Sequence, residues 1–198
     1  MSGGGWLYSE KVKEHFMNPK NILDDEDKYD SDGRGEVGNI ACGDQMLVVL
    51  KIKDNIITDC KWKTYGCASA IASTSMMSEM VVGMTLKEAY HIKPDDIVKQ
   101  LGGLPEHKIH CSVLGDRALR AAIEDYYRRN GLESEIEVEE AKIICSCKNV
   151  TDKDIENFVK NGGKGFEELQ KKTALGTGCG KCIKEAKELL HGYEHLYG

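Results

Sequence analysis

The sequence predicts an α+β fold: an antiparallel sheet packed with helices, followed by a small helical unit built around four cysteines. Three observations carry this. Residues 45–65 alternate apolar and polar side chains on either side of Asp54-Asn55. Helix start and stop signals recur before and after that stretch. Cys145, Cys147, Cys179 and Cys182 gather in the last third of the chain.

In order, Tyr8-Ser9-Glu10 to Met17 reads as a short helix, with Ser9 as N-cap and Val12 and Phe16 on one face. Asn18-Pro19 stops it. Residues 21–38 are acidic and glycine-bearing and read as a solvated loop. Gln45 to Lys53 places Met46, Val48, Leu50 and Ile52 on one strand face. After the Asp54-Asn55 turn, Ile56 to Tyr65 returns with Thr58, Cys60, Trp62 and Thr64 on a common face. Cys60 follows that alternation and reads as a small buried hydrophobe.

Cys67 to Ser75 has little bulk and passes into Met76, Met77 and Met80, a helix whose first turns pack closely. Thr85-Leu-Lys-Glu88 is a capping box. Pro94 starts a helix to Gln100, ended by Gly102-Gly103, and Ala118 to Arg129 is amphipathic with Asn130-Gly131 as its stop. The expected division is a first domain over 1–132, an acidic linker over 133–142 and a second domain over 143–198. In the last, Thr151-Asp-Lys-Asp154 opens a helix through Val159, Phe166 to Lys171 forms a second and Lys184 to Leu190 a third. A unit of roughly 55 residues has a marginal apolar core and needs a staple.

Hydrophobic content of 40% with 30% charged residues reads as soluble and globular, and no apolar run reaches membrane-span length. A net charge of -6 with scattered lysines argues against nucleic acid. The glycine-rich start leads into a polar helix with no apolar signal segment, so eight cysteines point to a reducing compartment and a cytoplasmic location.

Cys145-Ser-Cys147 and Cys179-Gly-Lys-Cys182, with 31 residues between the pairs, make a closed four-thiolate set suited to zinc or a [2Fe–2S] cluster. The one-residue gap is tighter than in zinc knuckles and favours iron–sulfur. Cys42, Cys67 and Cys111 are separated by 24 and 43 residues, and each lies at a break between elements. With Asp44 and His110 they read either as an incomplete, mixed ligand set or as scattered structural cysteines. Cys67 begins a helix, a position that raises thiol reactivity. His107 and the remaining histidines, His15, His91, His191 and His195, read as surface or packing residues.

Tyr8 to Phe16 with Asn18-Pro19, Cys42-Gly-Asp44, Tyr65 to Ser73 and Lys108-Ile-His-Cys-Ser-Val-Leu114 resemble the NifU/IscU iron–sulfur cluster scaffolds. The segment from 143 resembles the ferredoxin-like domain of NifU, akin to bacterioferritin-associated ferredoxin. The third, C-terminal Cys-x-x-Cys domain of the full NifU pattern is not in this sequence. The resemblance implies a three-stranded antiparallel sheet with helices, of the IscU/SufE-like kind, then an all-α [2Fe–2S] domain. It also implies a non-enzymatic scaffold that builds a transient [2Fe–2S] cluster from iron and sulfur on Cys42, Cys67 and Cys111, with Asp44 and His110 as exchangeable ligands. Cys111 is then the persulfide acceptor, and zinc is an alternative occupant of that site. Cys145, Cys147, Cys179 and Cys182 would hold a permanent cluster with a redox role.

The implied partners are a cysteine desulfurase of NifS/IscS type, apo iron–sulfur proteins and a second copy in a homodimer. A DnaK-like chaperone reads Leu-Pro-Pro-Val-Lys in the family; here Leu104-Pro-Glu-His-Lys108 departs from it at two places. Ala68 replaces the family's usual glycine after the cysteine. An electron carrier and a structural zinc protein remain the alternatives at this stage.

Overall fold

The computed structural model describes residues 8–38, 45–105, 110–137 and 141–197, without the side chains of 110–113. The described chain divides into two compact units, residues 8–37 with 45–136 and residue 38 with 137–197. Among the described residues no helix is long and apolar enough to cross a membrane.

The first unit runs α1 (Glu10–Met17), β1 (Gly33–Val37), β2 (Met46–Lys53), β3 (Ile56–Thr64), α2 (Ala68–Val81), α3 (Leu86–Tyr90), α4 (Pro94–Gln100) and α5 (His110–Arg129). Its sheet is antiparallel in the order β1-β2-β3. Helix α5 lies along β1 and β2, α2 packs on β3 and α5, and α1 packs on α2. Asp54 and Asn55 both take positive φ, 52° and 62°, the pair of left-handed residues that a tight two-residue hairpin turn requires.

The stretch 21–38 is more than a loop. Gly33–Val37 forms an edge strand, with Gly33 opposite Leu50 and Gly35 opposite Val48. Glycine is a poor strand former, and the reason for it here is steric. A Cβ on Gly35 would lie 2.0 Å from the Ala118 carbonyl oxygen, and one on Gly33 would lie 2.3 Å from that of Ala122. The strand therefore rests directly on the backbone of α5. Upstream, Leu23 N–H donates to Trp62 O at 2.8 Å and Trp62 N–H to Asn21 O at 3.2 Å.

That segment also covers the outer sheet face. Leu23, with Tyr29 beside it, packs on Leu47 and Val49, so β2 is buried on both faces over Met46–Leu50. Thr58 does not share a face with Cys60 as its alternation predicts. The ladder shifts register between Lys51 and Ile52, which turns Ile57 inward and leaves Thr58 exposed. Helix α5 begins at His110, eight residues before the predicted Ala118.

Small residues let α2 pack closely, as its sequence predicts: Ser69, Ala70, Ala72, Ser73, Thr74 and Ser75 are all buried. Ser75 Oγ shares a hydrogen bond with buried His15 Nδ1 at 2.8 Å and accepts one from Lys20 N–H at 2.8 Å, which secures α1 and the turn after it. The Thr85–Glu88 capping box is present, with Glu88 accepting the Thr85 N–H at 2.9 Å. Within the acidic run, Glu133–Glu135 makes one 3-10 turn that packs on α5.

The second unit contains β4 (Ile143–Cys145), β5 (Val150–Thr151), α6 (Asp152–Lys160), α7 (Phe166–Thr173) and α8 (Ile183–Tyr197). The unit is helical as predicted, with a short antiparallel β4-β5 ribbon added. Thr151 and Asp154 form the expected capping box of α6. A compact core of Ile155, Val159, Leu169, Leu175, Ala186 and Leu190 is buried. Glu156, only 5% exposed, accepts from Tyr197 Oη at 2.6 Å and pairs with Lys153 and Lys160, which ties α6 to the last turn of α8. A buried carboxylate is tolerable only with such partners.

Candidate metal centres

The second unit places its four predicted cysteines in two pairs, each joining one motif to the other, while among the described residues no group of three or more such side chains is close enough to hold one ion. Cys145 closes β4, and Cys147 lies in the turn between β4 and β5. Cys179 and Cys182 lie in the loop that enters α8. Cys147 Sγ stands 3.5 Å from Cys179 Sγ, and both residues are exposed. Cys145 and Cys182 are buried, and the Cys182 thiol donates to Cys145. Two thiolates on one tetrahedral metal at about 2.3 Å would lie roughly 3.8 Å apart, so the exposed pair is already spaced for a shared metal.

Backbone N–H groups converge on these sulfurs. The Gly176 N–H, then the Cys182 thiol and the amides of Lys148 and Cys147, hold the Cys145 thiol below its ordinary value in spite of burial. The Lys181 N–H and then the Cys147 thiol lower that of Cys179. Burial and the neighbouring Cys145 push the Cys182 thiol up. Each pair thus joins a sulfur favoured as thiolate to a sulfur that donates to it. Glycine makes room for the arrangement. Gly176 and Gly180 take φ of 76° and 72°, and a Cβ on Gly178 would press on Cys147 Cβ at 3.0 Å. The donor set, its amide cradle and the lack of bulk fit an anionic cluster held by thiolates.

The first unit presents Cys67 as the N-cap of α2, exposed and in extended conformation (φ -72°, ψ 170°). Several described contacts gather chain segments around that helix end. Tyr8 Oη bonds Ser69 Oγ at 3.1 Å, and Ser9 Oγ donates to the Leu101 carbonyl. Gln45 O accepts from Thr64 Oγ1 at 2.7 Å and from Tyr65 N–H at 3.4 Å. Cys42, Asp44 and His107 lie outside the described residues. His110 and Cys111 are the first two residues of α5, described in backbone only.

Cys60 is different in kind. It is fully buried, and burial pushes its thiol up to about 12, with Asp59 adding to the shift. At pH 8 its thiolate fraction is therefore far below that of an ordinary thiol. Iodoacetamide at pH 8 is expected to alkylate Cys67 in the folded chain and to spare Cys60, as read by peptide mass mapping. Modification of Cys60 at the rate of Cys67 would contradict this burial.

Two family models match the chain. Residues 7–133 match the NifU-like N terminal domain model, and residues 143–191 match the BFD-like [2Fe-2S] binding domain model. Over 125 residues the chain is 52% identical to "Iron-sulfur cluster assembly scaffold protein IscU 1" of Archaeoglobus fulgidus, covering 63% of this chain and 80% of that protein. It is 45% identical over 142 residues to "Iron-sulfur cluster assembly scaffold protein IscU" of Aquifex aeolicus, covering 71% of this chain and 85% of that protein. A match to "Nitrogen fixation protein NifU" of Trichormus azollae runs through both units, at 38% identity over 191 residues and 93% of this chain. The chain spans 63% of that relative's length.

Proposed function

Since the chain belongs to the NifU-like N-terminal domain family and carries a BFD-like [2Fe-2S] binding domain, we propose that it is a scaffold for iron–sulfur cluster assembly. One observation carries the reading: a domain 52% identical to a named scaffold presents an exposed cysteine, Cys67, at the head of a helix. Free N–H groups and the helix dipole favour anionic sulfur there.

Cys42, Cys67 and Cys111, with Asp44 and His110, form the transient site in this proposal. Iron and sulfur are its substrates. A cysteine desulfurase supplies the sulfur: the Cys111 thiolate attacks the terminal sulfur of the enzyme's persulfide. The sulfur bond re-forms on Cys111, and the enzyme's cysteine leaves as thiolate. Three cysteines with exchangeable oxygen or nitrogen ligands hold a cluster less firmly than four thiolates, which suits delivery to apo-proteins.

Cys145, Cys147, Cys179 and Cys182 hold the resident [2Fe–2S] cluster, which supplies one-electron chemistry when bound. The exposure of Cys147 and Cys179 favours a redox role, since that pair would form the solvent-side edge of a bound cluster.

Reconstitution with cysteine desulfurase, Fe²⁺ and cysteine tests the proposal. A second visible chromophore is expected, labile to chelators and removable by an apo-ferredoxin. Loss of that chromophore in Cys67→Ala, with the first chromophore intact, is the supporting result. Persistence of a labile, transferable cluster after Cys42, Cys67 and Cys111 are all replaced by alanine overturns it.

A further inference from the structure

Helix α8 carries a feature that the cluster chemistry does not use. His191 and His195 are four residues apart on one helix, so their side chains rise from neighbouring positions one turn apart. Their ring centroids are 4.5 Å apart, with planes at 85°. His191 is exposed and His195 half-buried, while the face of α8 turned to the core is made by Ala186, Leu190, Tyr193 and Leu196.

The separation has a chemical meaning. A metal–nitrogen bond of about 2.1 Å places an imidazole centroid roughly 3.2 Å from the ion, and two rings on metal–nitrogen bonds at right angles to each other then have centroids roughly 4.5 Å apart. That is the observed distance. It matches adjacent positions of an octahedral or square-planar ion better than the wider tetrahedral arrangement. Glu188, three residues before His191, pairs with Lys184 at 3.9 Å.

We propose that His191 and His195 form a two-nitrogen site for a divalent first-row cation that prefers imidazole, of the Ni²⁺ or Cu²⁺ class. Water fills the remaining coordination positions. The site is separate from the cysteine centres in its ligands and in the geometry it favours, and it stands or falls independently of cluster assembly.

Paramagnetic Ni²⁺ reports the site directly. The probe is titrated at pH 7.5 into the full chain carrying Cys42→Ser, Cys67→Ser and Cys111→Ser, which removes those competing thiols. Histidine-ring NMR signals are followed, with His91 as internal reference. The His191 and His195 signals are expected to broaden together, at Ni²⁺ concentrations that leave His91 sharp. His195→Ala should raise the Ni²⁺ needed to broaden His191 by about tenfold or more, because the second ligand no longer binds intramolecularly. Alanine is the best helix former, so α8 is retained, and His195→Gln should behave like the alanine variant. Broadening of His191 in either variant within twofold of the parent, or of all three rings in parallel, overturns the proposal.

Discussion

Removing metal from the four-cysteine unit, or replacing Cys182 by alanine, is expected to lower that unit's melting temperature by about 15 °C or more, a loss of at least about 3 kcal/mol in a domain of this size. The first unit's transition should stay where it is. The reasoning starts from the size of the core. Ile155, Leu169, Leu175, Ala186 and Leu190 are its main sealed members, and domains this small are marginal on apolar burial alone. Metal binding to a site that exists only in the folded chain adds to folding stability. Cys182 is the sharpest choice because it is buried and donates to Cys145. Its loss removes a ligand and leaves a cavity beside an anionic sulfur. Differential scanning calorimetry of holo, chelated and Cys182→Ala protein checks this. Two transitions that move together, or a second transition that does not move, would show that the sulfurs do not hold the unit.

Gly35→Val is expected to destabilise the first unit by about 3 kcal/mol or more, at the upper end of what overpacking costs. The atoms it would meet are backbone: Ala118 O at 2.0 Å, Ala122 N at 2.4 Å and Ala121 C at 2.9 Å. No rotamer change relieves that contact, so β1 must lift from α5 or the helix must shift. Either movement disturbs β2, the central strand that β1 pairs along. Glu36→Ala is the control, because Glu36 points outward and loses only exposed contacts with Arg34 and Gln45. Its effect should stay within about 0.5 kcal/mol. Urea denaturation of both variants separates the outcomes; equal midpoints would mean that the close approach of strand to helix is not a constraint.

These two sites also show what could be read in the chain and what could not. The β2–β3 hairpin was legible because Met46 to Thr64 alternates around a turn of two left-handed residues. Capping boxes at Thr85 and Thr151 were legible because both partners lie within four residues. Gly33–Val37 was not, since its strand character comes from α5, more than 80 residues later. Thr58 was misassigned because a bulge in the ladder changes the phase of alternation without a local signal. Leu23 and Tyr29 sit among acidic residues, which hid their role as the cover of the outer sheet face. Of the candidate site residues, the four late cysteines stood out by spacing, and the structure adds how they pair. Cys67 was placed at its helix start by the glycine before it and the small residues after it. His191 and His195 passed as ordinary because two histidines at helical spacing become informative only with a distance between their rings.

The pairing of Cys147 with Cys179 has a polymer consequence. The two lie 32 positions apart in sequence, and the stretch between them contains α6 and α7. Anything that bridges those sulfurs ties a ring in the disordered chain. Closing a ring of that length removes about 3.7 kcal/mol of chain entropy by the usual cross-link estimate. Both pairs span that stretch, so a cluster held by all four sulfurs would close the ring as it loads. Neither motif can hold its share of a cluster until the helices between them have brought the other within reach.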